Sequence, residues 1–476
     1  MNSILLIAHA IINLASLYWL IRDGSKPYRI WAWMMTIFAL PAIGVLLYLT
    51  FGINRRKRKL FDLKKFIDEK KQMEFLVNYQ RETEHETVTR KVFELRHQKL
   101  INLLTKGSKS PITFKNKILI LNDGQETFDT IFEACRQAKE SIELQYYIFI
   151  DGLLAEEFES IFTRKRMEGV KVRILYDAIG SWTLSDAYIK RLRHIGVDIY
   201  PFLPLRWGTM GRTNYRNHRK ILIVDGKIGF TGGINVDDKY IKGDPKLGHW
   251  TDTHLCIEGM AVNFLKLIFY KDWYFVSNEN LFNTKELIRK NDKGNVPVQI
   301  VPSGPDSDYA NILQQYLYII GTAQKYVYIA NSYIVPDESM LLVLKSTALS
   351  GVDVRLVIPQ NSDSRIIKWS IRANFDTLLD SGVKIYLYQP GFLHSKIILS
   401  DDTICSIGTA NLDIRSFEQN FEVNAVIYDR TATTQLKKTF IDFIENSARI
   451  DPEEYRKRPR KERAWESLAR LVSPVM

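Results

Sequence analysis

Cysteine is scarce in this chain, with three in 476 residues, Cys135, Cys256 and Cys405. They are widely spaced, odd in number and without a C-x-x-C pair, which argues against a disulfide framework or a cysteine metal site and leaves buried free thiols as the expected state. Acidic residues are in deficit, 54 against 66 lysines and arginines, so the formal net charge is +12. Such a balance favours an anionic partner, whether nucleic acid, an anionic membrane surface or a phosphate-bearing substrate, and does not choose among them. The N-terminus, "MNSI", lacks the cationic start of a cleaved signal peptide. Glycine and proline are missing from Lys57 to Lys106. That stretch is charged, with scattered apolar residues at helical spacing, and predicts one or two solvated linker helices.

Long apolar runs open the chain. Ile4 to Ile21 and Ile30 to Phe51 each have membrane-spanning length, with the hydrophilic turn "RDGSKPYR" between them. They predict an uncleaved two-helix transmembrane hairpin within residues 1–54, with Trp19, Trp31 and Trp33 near the interfaces and a kink at Pro41. The basic run "NRRKRKLFDLKK" follows at once. By the positive-inside rule it puts the bulk of the chain in the cytoplasm, and it would lie against anionic headgroups. His9 is expected to pack between helices rather than to ligate.

A chain of this length exceeds one ordinary core, so two or more domains are expected. Beyond a charged linker at 55–110 the sequence repeats itself: "GVKVRILYD" at 169–177 resembles "GVDVRLVIP" at 351–359, and "GVDIYPF" at 196–202 resembles "GVKIYLY" at 382–388. The offsets, 351−169=182 and 382−196=186, drift as they do when loops change after duplication. Apolar β-rich runs alternate with helix-length patterns such as Glu126 to Lys139 and Tyr309 to Gln324. The fold class expected is therefore α/β: two homologous halves, 111–288 and 296–450, each a mixed β-sheet flanked by helices. A polar seam at Arg289 to Asn295 joins them, and a pseudo-two-fold axis would bring equivalent residues together. Residues 451–476 form a basic amphipathic tail with Trp465, Leu468, Ala469 and Val472 on one helical face, suited either to membrane or to the protein's own core.

Each half carries one constellation: His-x-Lys, four residues, Asp, six residues, Gly-x-x-Asn. In the first it is His218, Lys220, Asp225, Gly232 and Asn235; in the second, His394, Lys396, Asp401, Gly408 and Asn411. A single histidine meets the Lys and Asp spacing by chance in about 1 of 300 cases, so two in-register matches are a strong signal. Residues two apart on a strand share a face, so each His and Lys project together while Arg219 and Ser395 point away. Histidine supplies a nucleophile or proton carrier at neutral pH, lysine a fixed charge for a phosphoryl oxygen, and Asn235 and Asn411 amide donors to the same oxygens. Two facing sets would put imidazoles on opposite sides of one phosphorus. Asp225 and Asp401 complete the catalytic motif, but seven positions from the histidine puts them on the other strand face; turn formation or strand support is favoured over direct chemistry.

The duplicated motif resembles that of the phospholipase D superfamily, and the full layout, from apolar hairpin and basic run to the "SPVM" end, resembles the bacterial cardiolipin synthases. The resemblance implies a reaction without metal or other cofactor, through a phosphohistidine. It implies transfer of a phosphatidyl group from one phosphatidylglycerol to another, giving cardiolipin and glycerol. The implied partners are those lipids and an anionic membrane surface, with no nucleic acid, and the implied location is the bacterial cell membrane with the catalytic part cytoplasmic. It further implies that Asp252 and Glu422 hydrogen-bond the motif histidines, and superfamily order favours His218 as nucleophile, which the symmetry of the repeat does not decide. Gly233 and Thr409 stand where the superfamily usually has serine, so one half keeps a hydroxyl and the other loses it. A phospholipase D hydrolase or another phosphatidyltransferase would use the same residues, and a membrane-tethered nuclease is a minor alternative. A non-enzymatic scaffold would require one decayed motif, and both are intact. The other histidines, lacking repeated counterparts, are expected at the surface or in packing.

Overall fold

The computed structural model describes residues 11, 14, 15, 18, 20, 27–48, 87–204, 215–282, 289 and 291–472. The first half contributes strands β1 (Thr113–Leu121), β2 (Ser141–Tyr146), β3 (Lys171–Asp177), β4 (Asp198–Phe202), β5 (Ile221–Val224), β6 (Ile228–Gly232) and β7 (His254–Glu258). The second contributes β8 (Val296–Ser303), β9 (Tyr326–Asn331), β10 (Asp353–Pro359), β11 (Lys384–Tyr388), β12 (Lys396–Ser400), β13 (Ile404–Gly408) and β14 (Glu422–Ile427), with β15 (Ser447–Arg449) at the edge. All fifteen form one sheet, in the order β15-β11-β10-β9-β12-β13-β14-β8-β1-β7-β6-β5-β2-β3-β4. Outward from the centre, each strand of the first half meets its counterpart seven numbers on in the second. The repeat read from the sequence is thus a two-fold arrangement, fused where β1 pairs antiparallel with β8 at Thr113–Val298 and Asn116–Val296. Within each half the outer strands are parallel and the inner ones antiparallel, which makes the sheet mixed.

The apolar runs that gave no alternation, such as "ILIV" in β5, are buried along their whole length because helices cover both faces. On the seam side, the helices Val262–Ser277 and Arg430–Glu445 share one core across both halves, where Trp273 and Phe269 meet strand residues of β5 and β12. On the opposite face each half has a core of its own.

Two expectations for the flanking segments change. The helix Thr87–Ser108, read as part of a solvated linker, buries Leu100, Ile101 and Leu104 in the core of the second half beside Ile312 and Tyr316. Its apolar residues at helical spacing are thus a packing face. The second apolar run is two helices, Pro27–Ala39 and Pro41–Leu47, divided at Leu40 because Pro41 takes the first position of a new helix. Among the described residues, no helix is long and apolar enough to cross a membrane. The first apolar run, the basic run after residue 50, the "SPVM" end and most of the loop before Tyr215 lie largely or wholly outside the described residues. The C-terminal helix Arg460–Val472 docks on the protein through Glu466 and Ala469, and Glu466 accepts from Tyr455 (2.9 Å) and Arg458 (2.6 Å). Trp465 and Leu468, expected on the same face as Ala469, remain half exposed.

Asp225 and Asp401 sit at the β5–β6 and β12–β13 turns with left-handed backbone (φ +53° for each). The Asp225 carboxylate accepts from the backbone N–H groups of Lys139 (2.9 Å), Glu140 (2.7 Å) and Ser141 (2.9 Å). Asp401 accepts from Gln324 (2.8 Å), Lys325 (2.8 Å) and Tyr326 (3.1 Å) in the matching place. Each staples its hairpin to the entrance of the neighbouring strand. Asp225→Ala should therefore cost about 3 kcal/mol of stability, read as a lowered thermal midpoint, while the protein that remains folded keeps its catalytic rate.

Candidate functional site

The sheet alone does not bring the histidines together; two strand crossings do. Ahead of β5, the Arg216–His218 segment leaves its own half and bonds to the other: Phe421 N–H donates to Arg216 O (2.9 Å) and His218 N–H to Phe421 O (2.9 Å). In mirror fashion Gly391–Leu393 runs parallel to His249–Thr251, and His394 N–H donates to Thr251 O (2.7 Å). Each histidine is thereby carried to the carboxylate that follows the opposite segment. His218 Nδ1 lies 2.9 Å from Glu422 Oε2, and His394 Nδ1 lies 2.6 Å from Asp252 Oδ2. Both pairs are exchanged between the halves, which spacing within one motif could not reveal.

Two residues beyond each histidine, the Lys220 ammonium donates to His218 O (2.7 Å), and that of Lys396 to His394 O and to Ser332 Oγ (3.1 Å). The intervening residues point away, as strand alternation requires: Arg219 donates to Asp272 (2.6 Å), and Ser395 and Thr253 hydroxyls bond at 2.9 Å. The two imidazoles, Asn235 and Asn411 line one pocket of about 530 Å³, with Tyr147, Tyr240, Trp250, Arg216, Lys239 and Arg415 around it. Asn235 accepts from Ile148 N–H (3.1 Å) and gives one amide hydrogen to Tyr240 Oη (3.0 Å). The other amide hydrogen remains for a ligand. The Asn411 carbonyl oxygen is buried without a hydrogen bond at the same wall. Of the motif residues, Lys220, Asp225, Lys396 and Asp401 are not among those that line this pocket. Among the described residues, no group of three or more histidine, cysteine or carboxylate side chains is arranged to hold a metal ion.

Tyr240 was not singled out by the sequence. Its hydroxyl lies 3.1 Å from His394 Nδ1. The repeat hid it, because the equivalent position (416−240=176) is Ser416, which instead accepts from the Asn411 N–H (3.2 Å).

Burial dominates the electrostatics. It lowers the His218 imidazole to about 4, Lys220 adding to the effect against the pull of Glu422, and holds His394 well below the ordinary range with help from both lysines. Burial thus favours the neutral form of both rings. Burial also lowers Lys220 to about 7 and Lys396 to about 8. The carboxylates diverge. For Glu422, burial is outweighed by His218, Lys220 and the hydroxyl of Thr409, which donates to it at 2.5 Å, and its pKa falls. For Asp252, burial wins over Lys396, Lys220 and the Thr253 N–H, and its pKa rises to about 7. Opposite Thr409 in the repeat stands Gly233, where an added Cβ would lie 2.1 Å from Asp252 Oδ1, so no hydroxyl-bearing side chain fits.

Two measurements test this arrangement. In Glu422→Gln the rate should fall by about 100-fold or more, and the ring nitrogen signals of His218 should shift while those of His394 stay; Asp252→Asn should do the reverse. Rising pH strips charge from Lys220 and Lys396 as it passes about 7 and about 8. KM for an anionic phosphodiester should therefore climb through that window, and Lys396→Arg, which stays charged, should flatten the climb.

Comparison with known proteins fits this geometry. A family profile described as "Cardiolipin synthase, PLD-like domain" matches residues 131–267 and 316–444, one copy in each half, and one described as "Phospholipase_D-nuclease N-terminal" matches 11–52. The chain is 41% identical over 460 residues to a cardiolipin synthase of Geobacillus sp. (strain WCH70), covering 95% of this chain and 90% of that one. It is 40% identical to cardiolipin synthase 2 of Bacillus anthracis, with 95% and 88% covered. Among solved structures, phosphatidylserine synthase of Haemophilus influenzae superposes with a TM-score of 0.60 at 15% identity, over 79% of this chain and all of that one, a likeness of fold. Identity at this level along nearly the full length of both partners is kinship rather than shared architecture, and the chain belongs to the cardiolipin synthases of the phospholipase D-like proteins.

Proposed function

We propose that this chain moves a phosphatidyl group from one phosphatidylglycerol to a second, giving cardiolipin and glycerol. The observation that carries the reading is the pair of imidazoles lining one pocket, each with its own carboxylate from the opposite half. His218 Nε2 attacks phosphorus, and the phosphorus–oxygen bond to glycerol breaks as His394 protonates the departing oxygen. His394 then takes the proton of the second lipid's hydroxyl, which attacks phosphorus and breaks the phosphorus–nitrogen bond. Lys220, Lys396, Asn235 and Asn411 hold the non-bridging oxygens through both steps.

The division of roles is supported by the carboxylates. Glu422 stays ionised, so His218 keeps its proton on Nδ1 and its lone pair on Nε2. Asp252, raised to about 7, lets the Asp252–His394 pair carry an extra proton near neutrality, which leaves Nε2–H available as an acid. A membrane hairpin made of the two apolar runs within residues 1–54, the second of them broken at Pro41, with the catalytic halves cytoplasmic, belongs to the same reading. Its support is the pair of apolar runs, the basic run after them and the N-terminal family match at 11–52. That anchor would confine the enzyme to the plane of its substrate, beside anionic headgroups.

Labelled phosphatidylglycerol in mixed micelles should yield cardiolipin and glycerol in equal amounts; phosphatidic acid as the main product would overturn the reading. His218→Ala should lose about a thousandfold or more in rate. A covalent phosphatidyl adduct trapped in that variant would move the nucleophile to His394.

A further inference from the structure

The proposed reaction brings two phosphodiesters into one pocket. The acceptor lipid carries its own phosphate three carbons from the hydroxyl that attacks. When that hydroxyl arrives, Lys220 and Lys396 already hold the phosphoryl group on His218, and a second anion beside the first is repelled unless another cation meets it. The acceptor approaches on the His394 side, in line with the bond to His218 that will break. Its phosphate therefore lies farther along that flank.

Among the described residues, Lys239 is a cation on that flank. Its ammonium sits 4.3 Å from the centre of the Trp250 ring, and that ring lies 5.8 Å from the His394 imidazole. It lines the pocket, and its charge is among those that depress His394. Asp237 holds it at 3.0 Å. An ammonium has three hydrogens, so it keeps Asp237 and still offers donors to a phosphate. The repeat equivalent of Lys239 is Arg415 (415−239=176), which also lines the pocket. Its charge bears on Tyr147 and Arg216, and the Tyr147 ring is 4.8 Å from that of His218. The two cations thus flank different histidines.

Resting on the reaction proposed above, we propose that Lys239, over the Trp250 ring, forms a second phosphate subsite that binds the phosphate of the acceptor lipid and so favours a phosphorylated glycerol over other acceptors. Water and simple alcohols lack that phosphate and gain nothing from the subsite.

The test uses the full chain in neutral detergent with phosphatidylglycerol as donor, and compares labelled glycerol 3-phosphate with labelled glycerol as acceptors. These differ only in the phosphate. The wild type should prefer glycerol 3-phosphate by about tenfold, the worth of one ion pair of 1.4 kcal/mol. Lys239→Gln should lose most of that preference, and Lys239→Arg should retain it. Equal use of the two acceptors by the wild type, which needs no variant to fold, overturns the subsite. So does a preference that survives Lys239→Gln or that disappears in Arg415→Gln instead. Absence of cardiolipin from phosphatidylglycerol alone would sink the underlying reaction as well, whereas cardiolipin formed without acceptor preference sinks the subsite only.

Discussion

The site depends on one constraint: the short stretches that carry His218 and His394 must pair with the opposite half. Those few backbone hydrogen bonds, His218 N–H to Phe421 O and His394 N–H to Thr251 O, fix each imidazole against a carboxylate it could not reach within its own half. The fused sheet supplies the frame, since β1 and β8 hold the halves in fixed register. Among the described residues, each motif histidine finds its carboxylate in the opposite half. Loosening the seam would therefore disarm both histidines at once.

Burial then sets the chemistry. Two imidazoles, two ammonium groups and two carboxylates are gathered, and each is nine-tenths or more buried. Burial penalises charge on the imidazoles and the ammonium groups, so all four pKa values fall. A phosphodiester entering the pocket brings the negative charge that the lysines lack, so binding of substrate and charging of the site reinforce each other.

The duplicated α/β fold was legible because it leaves a trace that one chain can show: strands buried on both faces, repeated with their turns. The histidine–lysine alternation was legible for the same reason, since a strand places residues two apart on one face. The seven-residue gap to Asp225 likewise separated a turn-forming carboxylate from the reactive face, and its three backbone bonds follow from that position. What could not be read were relations across the seam. Nothing in "NFEVNAVIYD" says that Glu422 serves the first histidine rather than the second. Tyr240 escaped because it breaks the repeat, and the helix ending at Ser108 was misjudged because a charged composition masked three apolar residues on one face.

Two-fold symmetry would make the two histidines equivalent, yet the two-step transfer needs a nucleophile and an acid. The difference is built into positions where the halves disagree. Thr409 gives Glu422 a hydroxyl hydrogen bond that favours its charge, while Gly233 offers Asp252 no hydroxyl and lets the carboxylate occupy the space of a side chain. Tyr240 reaches His394, and the shorter Ser416 turns back to Asn411. Each change is small, but all act on groups buried together, where one hydrogen bond to a carboxylate outweighs its value at a surface. The departures from repetition, rather than the repeated motif, are what make the surroundings of the two histidines unequal.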